Sequence, residues 1–124
     1  MAKILVVDDD ASFAVMLADF LAAMGHHVAR AADQAQARDL ARTQKPDVIL
    51  LDMEIPGGGG PKTLSALEAE SALGDAGVVL CSGLAIEKMQ QTLPPAPRRR
   101  YVTKPVDLLA LKGLIDELLA GARR

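Results

Sequence analysis

Three short, unbroken apolar runs punctuate the chain: Ile4-Leu5-Val6-Val7, Val48 to Leu51 and Val78 to Cys81. None alternates with polar residues, so each reads as a strand buried on both faces, as in a parallel sheet. A weaker strand is predicted over His27 to Ala31 and a brief one over Tyr101 to Thr103. Helical spacing fills the intervals. Phe13, Met16, Leu17, Phe20, Leu21 and Met24 recur at three- and four-residue steps, and Gly25 closes that helix. Asp33 caps a second helix reaching about Thr43, and a third is predicted from Lys62 to about Leu73. A short, poorly patterned fourth covers Ile86 to about Leu93, where Pro94, Pro95 and Pro97 stop it. Leu108, Leu109, Leu111, Leu114, Ile115, Leu118 and Leu119 mark the last helix. Five strands alternating with five helices predict an α/β, doubly wound parallel sheet with helices on both faces.

The 124 residues fit one domain, expected to span 1–124, and half of them are apolar, which excludes a disordered chain. Cys81 is the single cysteine, so no intrachain disulfide forms, and a reducing, cytoplasmic setting is expected. No apolar run is long enough to span a membrane, and the N-terminus lacks the pattern of a signal peptide. The net charge of −2, with both signs scattered, gives no field for nucleic acid. Phe13, Phe20 and Tyr101 are the only aromatic residues, too few for base stacking.

The residues with chemistry share one position. Asp8 and Asp9, Asp52, Ser82 and Lys104 each stand at the carboxyl end of a predicted strand. Ligands of open parallel sheets bind at that edge. Adjacent strands lie about 4.8 Å apart, so carboxylates there repel unless a cation intervenes. A hard divalent cation such as Mg²⁺ takes such oxygens. Lys104 offers a point charge for a phosphoryl oxygen, and Ser82 a hydroxyl donor. Acids, a metal, a lysine and a hydroxyl together point to phosphoryl transfer, in which a carboxylate can itself be the nucleophile.

The order Val6-Val7-Asp8-Asp9, Leu51-Asp52-x-x-x-Pro56-Gly57, Ser82-Gly83 and Tyr101-Val102-Thr103-Lys104-Pro105 resembles the response-regulator receiver domain of two-component signalling. The likeness covers essentially the whole chain. It implies a flavodoxin-like sheet with strand order 2-1-3-4-5. It further implies that Asp52 is the phospho-acceptor, and that Asp9, Asp8 (through water), Asp52 and the backbone carbonyl of Glu54 hold Mg²⁺. By the same resemblance Ser82, Gly83 and Lys104 bind the phosphoryl group. Tyr101 couples to Ser82 as the switch, and the Lys104-Pro105 bond is cis. Donors would be a histidine kinase or histidine phosphotransferase, acting on a monomer or a phosphorylation-linked dimer. A downstream protein would read the surface of helix 4, strand 5 and helix 5.

Other features are ambiguous in sequence. Asp10 reads best as a helix N-cap. Glu54 and Leu84 stand two residues past Asp52 and Ser82, positions that tune dephosphorylation in the family, though Glu54 equally reads as an exposed loop acid. Gly57 to Gly60 makes an unusually glycine-rich loop, and with Pro61, Lys62 and Thr63 it only superficially resembles a phosphate-binding loop. Arg98-Arg99-Arg100 reads as a solvated loop or, alternatively, a docking patch. His26 and His27 are expected at a strand edge or surface, and Cys81 as a buried hydrophobe. Two rival functions use the same residues. A degenerate receiver would bind a partner without phosphorylation. A haloacid-dehalogenase-like phosphatase would use Asp8-x-Asp10-x-Ser12 as its nucleophile motif and leave Asp52 idle. The chain closing at Arg123-Arg124 is expected either as a stand-alone receiver or as one excised from a longer regulator.

Overall fold

A computed structural model describes residues 2–122. Five strands, β1 (Lys3–Val7), β2 (His27–Ala31), β3 (Val48–Asp52), β4 (Gly77–Ser82) and β5 (Arg99–Thr103), form one sheet ordered β2-β1-β3-β4-β5. Every pairing is parallel. Five helices connect the strands: α1 (Ala11–Ala23), α2 (Gln34–Gln44), α3 (Gly59–Ala69), α4 (Ile86–Thr92) and α5 (Leu108–Ala122).

The unbroken apolar runs have a direct structural cause. Alternate residues of a strand point to opposite faces, and both faces here are covered. Leu5, Val7, Ile49, Leu51, Val78 and Leu80 pack on one face with Ala37 and Ala41 of α2, Leu64 and Leu67 of α3 and Met89 of α4. Ile4, Val6, Val48, Leu50, Val79 and Cys81 pack on the other with Leu17 and Leu21 of α1 and Leu111, Ile115 and Leu118 of α5. The edge strands β2 and β5 are only partly buried, which explains their weaker apolar signature.

Two local expectations are corrected. Helix α3 starts at Gly59 rather than Lys62 and ends at Ala69 rather than near Leu73. Ser71 turns left-handed, and Ser71 and Ala72 donate to the Glu68 and Leu67 carbonyls, closing the helix. Leu73 then packs on the core from outside the helix. The arginine run is not a solvated loop: Arg99 and Arg100 belong to β5, and Arg98 donates to the carbonyls of Leu118 and Asp75. His26 stands just before β2, in keeping with the strand predicted from His27, and its Nδ1 accepts the backbone N–H of Ala2.

Candidate functional site

Parallel pairing puts the carboxyl ends of β1, β3, β4 and β5 on one rim of the sheet, and the predicted polar residues meet there. Asp8 follows β1 and is buried, with its N–H donating to the Ala31 carbonyl at 3.0 Å. The chain then turns outward. The Asp10 N–H donates to Asp8 Oδ1 at 2.9 Å, and Asp10 caps α1 by accepting the Phe13 N–H at 3.1 Å. Asp10 is therefore the helix cap the sequence indicated, and Asp9 stands exposed between the two.

Asp52 ends β3, beside β1 and opposite Cys81 of β4. It is buried, and its Oδ1 accepts the Glu54 N–H at 3.1 Å. One oxygen each from Asp8, Asp9 and Asp52 lie within 4.8 Å of one another. Lys104, just beyond β5, places Nζ 3.1 Å from Asp8 Oδ2 and 3.5 Å from Asp52 Oδ2. The same ammonium lies 4.6 Å from the centre of the Phe13 ring. The backbone N–H of Lys104 donates to the Ser82 carbonyl, and the Lys104-Pro105 peptide is cis.

Ser82 ends β4 and is fully buried. Its hydroxyl donates to Glu54 Oε1 at 2.7 Å and accepts the Leu84 N–H at 3.0 Å. Gly83 and Leu84 are exposed on the following turn. Tyr101 lies half-buried in β5, and its hydroxyl donates to the Leu93 carbonyl at 2.6 Å, just past α4.

The electrostatics follow from burial and crowding. Burial raises the pKa of Asp52; the Glu54 N–H opposes that shift and the Asp8 charge adds to it. Burial works against the Lys104 charge, but the Asp8 and Asp52 carboxylates prevail and its pKa rises. Burial pushes the Cys81 thiol up to about 12, so it stays protonated and unreactive. Three carboxylates facing one ammonium leave an excess of negative oxygen. That donor set fits a hard divalent cation, and the exposed Asp9 side leaves room for water on it.

Asp8, Asp9, Asp52, Ser82 and Lys104 thus meet at the rim, whereas Tyr101 lies within β5 with its hydroxyl on Leu93, and two partnerships were not legible. Phe13 reads as one more apolar position of α1, although its ring also seats Lys104. Glu54 reads as a loop acid, although its side chain holds Ser82.

The sequence profile of the response regulator receiver domain matches residues 4–116. The chain belongs to this family. Protein PilH of Pseudomonas aeruginosa is 33% identical over 121 residues, 98% of this chain and 100% of PilH. Protein Rrf1 of Nitratidesulfovibrio vulgaris is 30% identical over 119 residues, 96% of this chain and 83% of Rrf1. Among solved structures, the receiver domain of Francisella response regulator 1452 superposes with a TM-score of 0.85 at 26% identity, covering 98% of this chain and 99% of that one. Chemotaxis protein CheY4 of Vibrio cholerae shares the fold, with a TM-score of 0.86 at 24% identity over 95% of this chain and 98% of its own. The receiver fold and the strand order 2-1-3-4-5 are those the motifs implied. Among the described residues no helix is long and apolar enough to cross a membrane.

Proposed function

We propose that this receiver is a phosphorylation-dependent switch, a single domain over residues 1–124, with Asp52 as the acceptor. An Asp52 oxygen attacks the phosphorus of a phosphohistidine on a histidine kinase or histidine phosphotransferase. The P–O bond forms, the P–N bond breaks, and the electron pair leaves on the histidine nitrogen. Asp8, Asp9, Asp52 and the Glu54 carbonyl would hold Mg²⁺. When bound there, Mg²⁺ would supply positive charge to offset that of the carboxylates and the incoming phosphoryl group. Lys104 neutralises a further phosphoryl oxygen, and Ser82 and Gly83 receive the group from the β4 side. The observation that carries this reading is the Lys104 ammonium shared between Asp8 and Asp52 inside a three-carboxylate cluster.

The group adds charge and acceptor oxygens at the end of β3. Ser82 and Tyr101 relay its presence to the surface of α4, β5 and α5, where a protein partner reads it as a population shift. Leu84 and Glu54 flank the path of water to the phosphoryl group and set its lifetime. The chain works in the cytoplasm as a monomer or a phosphorylation-linked dimer and engages neither nucleic acid nor membrane. It is a regulator, with no turnover beyond its own dephosphorylation.

Incubation with Mg²⁺ and acetyl phosphate, read by intact mass, tests the assignment. One added phosphoryl group that requires Mg²⁺ and disappears in Asp52→Ala is expected. Uptake that persists in Asp52→Ala would move the nucleophile to Asp8 and favour the phosphatase-like chemistry. No uptake from acetyl phosphate or from a phosphorylated histidine protein would leave a binding module independent of phosphorylation.

A further inference from the structure

We infer that Glu54 is a latch on Ser82, competing with the phosphoryl group for the same hydroxyl hydrogen; this rests on Asp52 being the acceptor. A serine hydroxyl has one hydrogen to donate. In this structure Ser82 gives it to Glu54 Oε1 at 2.7 Å, while its oxygen is engaged by the Leu84 N–H. A phosphoryl group on Asp52 presents acceptor oxygens and needs that hydrogen. The two bonds are mutually exclusive.

The geometry ties the competition to the acceptor itself. Glu54 reaches Asp52 through its main chain, donating its N–H to Asp52 Oδ1 at 3.1 Å. It reaches Ser82 through its side chain. One residue thus spans both the atom to be modified and the hydroxyl that must respond. Ser82 is fully buried and Glu54 is exposed, so the carboxylate comes to the hydroxyl from the solvent side and can leave toward solvent. While the latch is closed it also fixes the start of the β4–α4 turn, because the Leu84 N–H hangs on the same oxygen. An ionised acceptor makes this bond stronger than an ordinary hydroxyl contact. Glu54 therefore sets the threshold a phosphoryl group must exceed before Ser82 changes partner.

Beryllofluoride, an unreactive phosphoryl analogue, tests the latch when titrated with Mg²⁺ into the full chain and followed by backbone amide NMR shifts. Glu54→Ala should bind it roughly 10-fold more tightly than the natural chain, the value of one charge-assisted hydrogen bond. Glu54→Gln keeps an acceptor for Ser82 and removes the charge, and should gain less than about threefold. In a Ser82→Ala background the Glu54→Ala gain should vanish. Equal gains from Glu54→Ala and Glu54→Gln, persisting without the Ser82 hydroxyl, would mean simple charge repulsion and overturn the latch. So would a natural chain that binds beryllofluoride and a Glu54→Ala variant that binds it no better. A natural chain that fails to bind it at all would overturn the Asp52 assignment, and the latch with it.

Discussion

The ammonium of Lys104 rests 4.6 Å from the centre of the Phe13 ring while it bonds the Asp8 carboxylate at 3.1 Å. Helix α1 thus contributes an aromatic face to a site otherwise made of strand ends. A cation over an aromatic ring gains about 0.5–2 kcal/mol, more when desolvated. Phe13→Leu should therefore slow phosphoryl uptake from acetyl phosphate several-fold. Phe13→Tyr should preserve the rate. Thermal unfolding of both variants separates this effect from loss of packing, since a merely structural role would not distinguish the ring from an aliphatic side chain once stability is matched.

His26 gives the fold a pH dependence of defined sign. Burial, then the positive N-terminus, lowers its pKa below 6.5. Its Nδ1 accepts the Ala2 N–H at 3.1 Å, which an imidazolium cannot do. A folded pKa depressed below the unfolded value gives stability that is present above the unfolded pKa and lost as pH falls through the folded one. Urea unfolding should show the natural chain more stable than His26→Ala by about 1 kcal/mol near neutral pH. That advantage should shrink as pH falls below 6.5 and on through the lowered folded pKa, below which both states bind the proton. A pH-independent difference would exclude the titration.

Arg98 joins three parts of the molecule. Its Nη1 donates to the Leu118 carbonyl of α5 at 2.7 Å, and its Nε donates to the Asp75 carbonyl ahead of β4 at 3.1 Å. Arg98→Met should cost about 1.5–3 kcal/mol in urea unfolding, from two carbonyls losing a charged donor. Arg98→Lys should recover only part of it, because a single ammonium lacks the planar fork that reaches both oxygens.

The glycine-rich loop offers a paired comparison. Gly59 has φ +77°, and a Cβ there would stand 2.5 Å from the Met53 carbonyl oxygen. Gly25 has φ +91° with open space around it. Gly25→Ala should cost about 1–2 kcal/mol, the strain of the left-handed conformation alone. Gly59→Ala should cost clearly more and should weaken Mg²⁺ binding, since it pushes on the chain immediately after Asp52. Calorimetric melting with and without Mg²⁺ measures both. Equal losses at the two positions would show that the loop accommodates the methyl group.

The central strands were legible because burial on both faces leaves an unbroken apolar run, as in Val48 to Leu51. The acids and Ser82 were legible because they stand immediately after such a run, and Lys104 because it follows the brief strand ending at Thr103. Edge strands are less exclusive, so β5 was read from Tyr101 although it begins at Arg99. The end of α3 was not legible because no glycine or proline stands between Ala69 and Gly74, and the residue that turns the chain left-handed is Ser71. The contacts of Glu54 with Ser82 and of Phe13 with Lys104 were not legible at all. They join residues far apart in sequence whose types fit a loop acid and a helix core equally well, and only the packed rim brings them together.

The arginines of the last strand have a consequence for how this sheet meets other chains. β5 is an edge, and an exposed edge is a template on which a foreign strand can add. Here the guanidinium of Arg99 takes the Pro94 carbonyl, and that of Arg100 takes the carbonyls of Pro97 and Arg99. The border is hemmed with its own side chains. The Arg99 carbonyl belongs to β5 itself, so its occupation by Arg100 leaves one fewer main-chain acceptor on that border for an added strand.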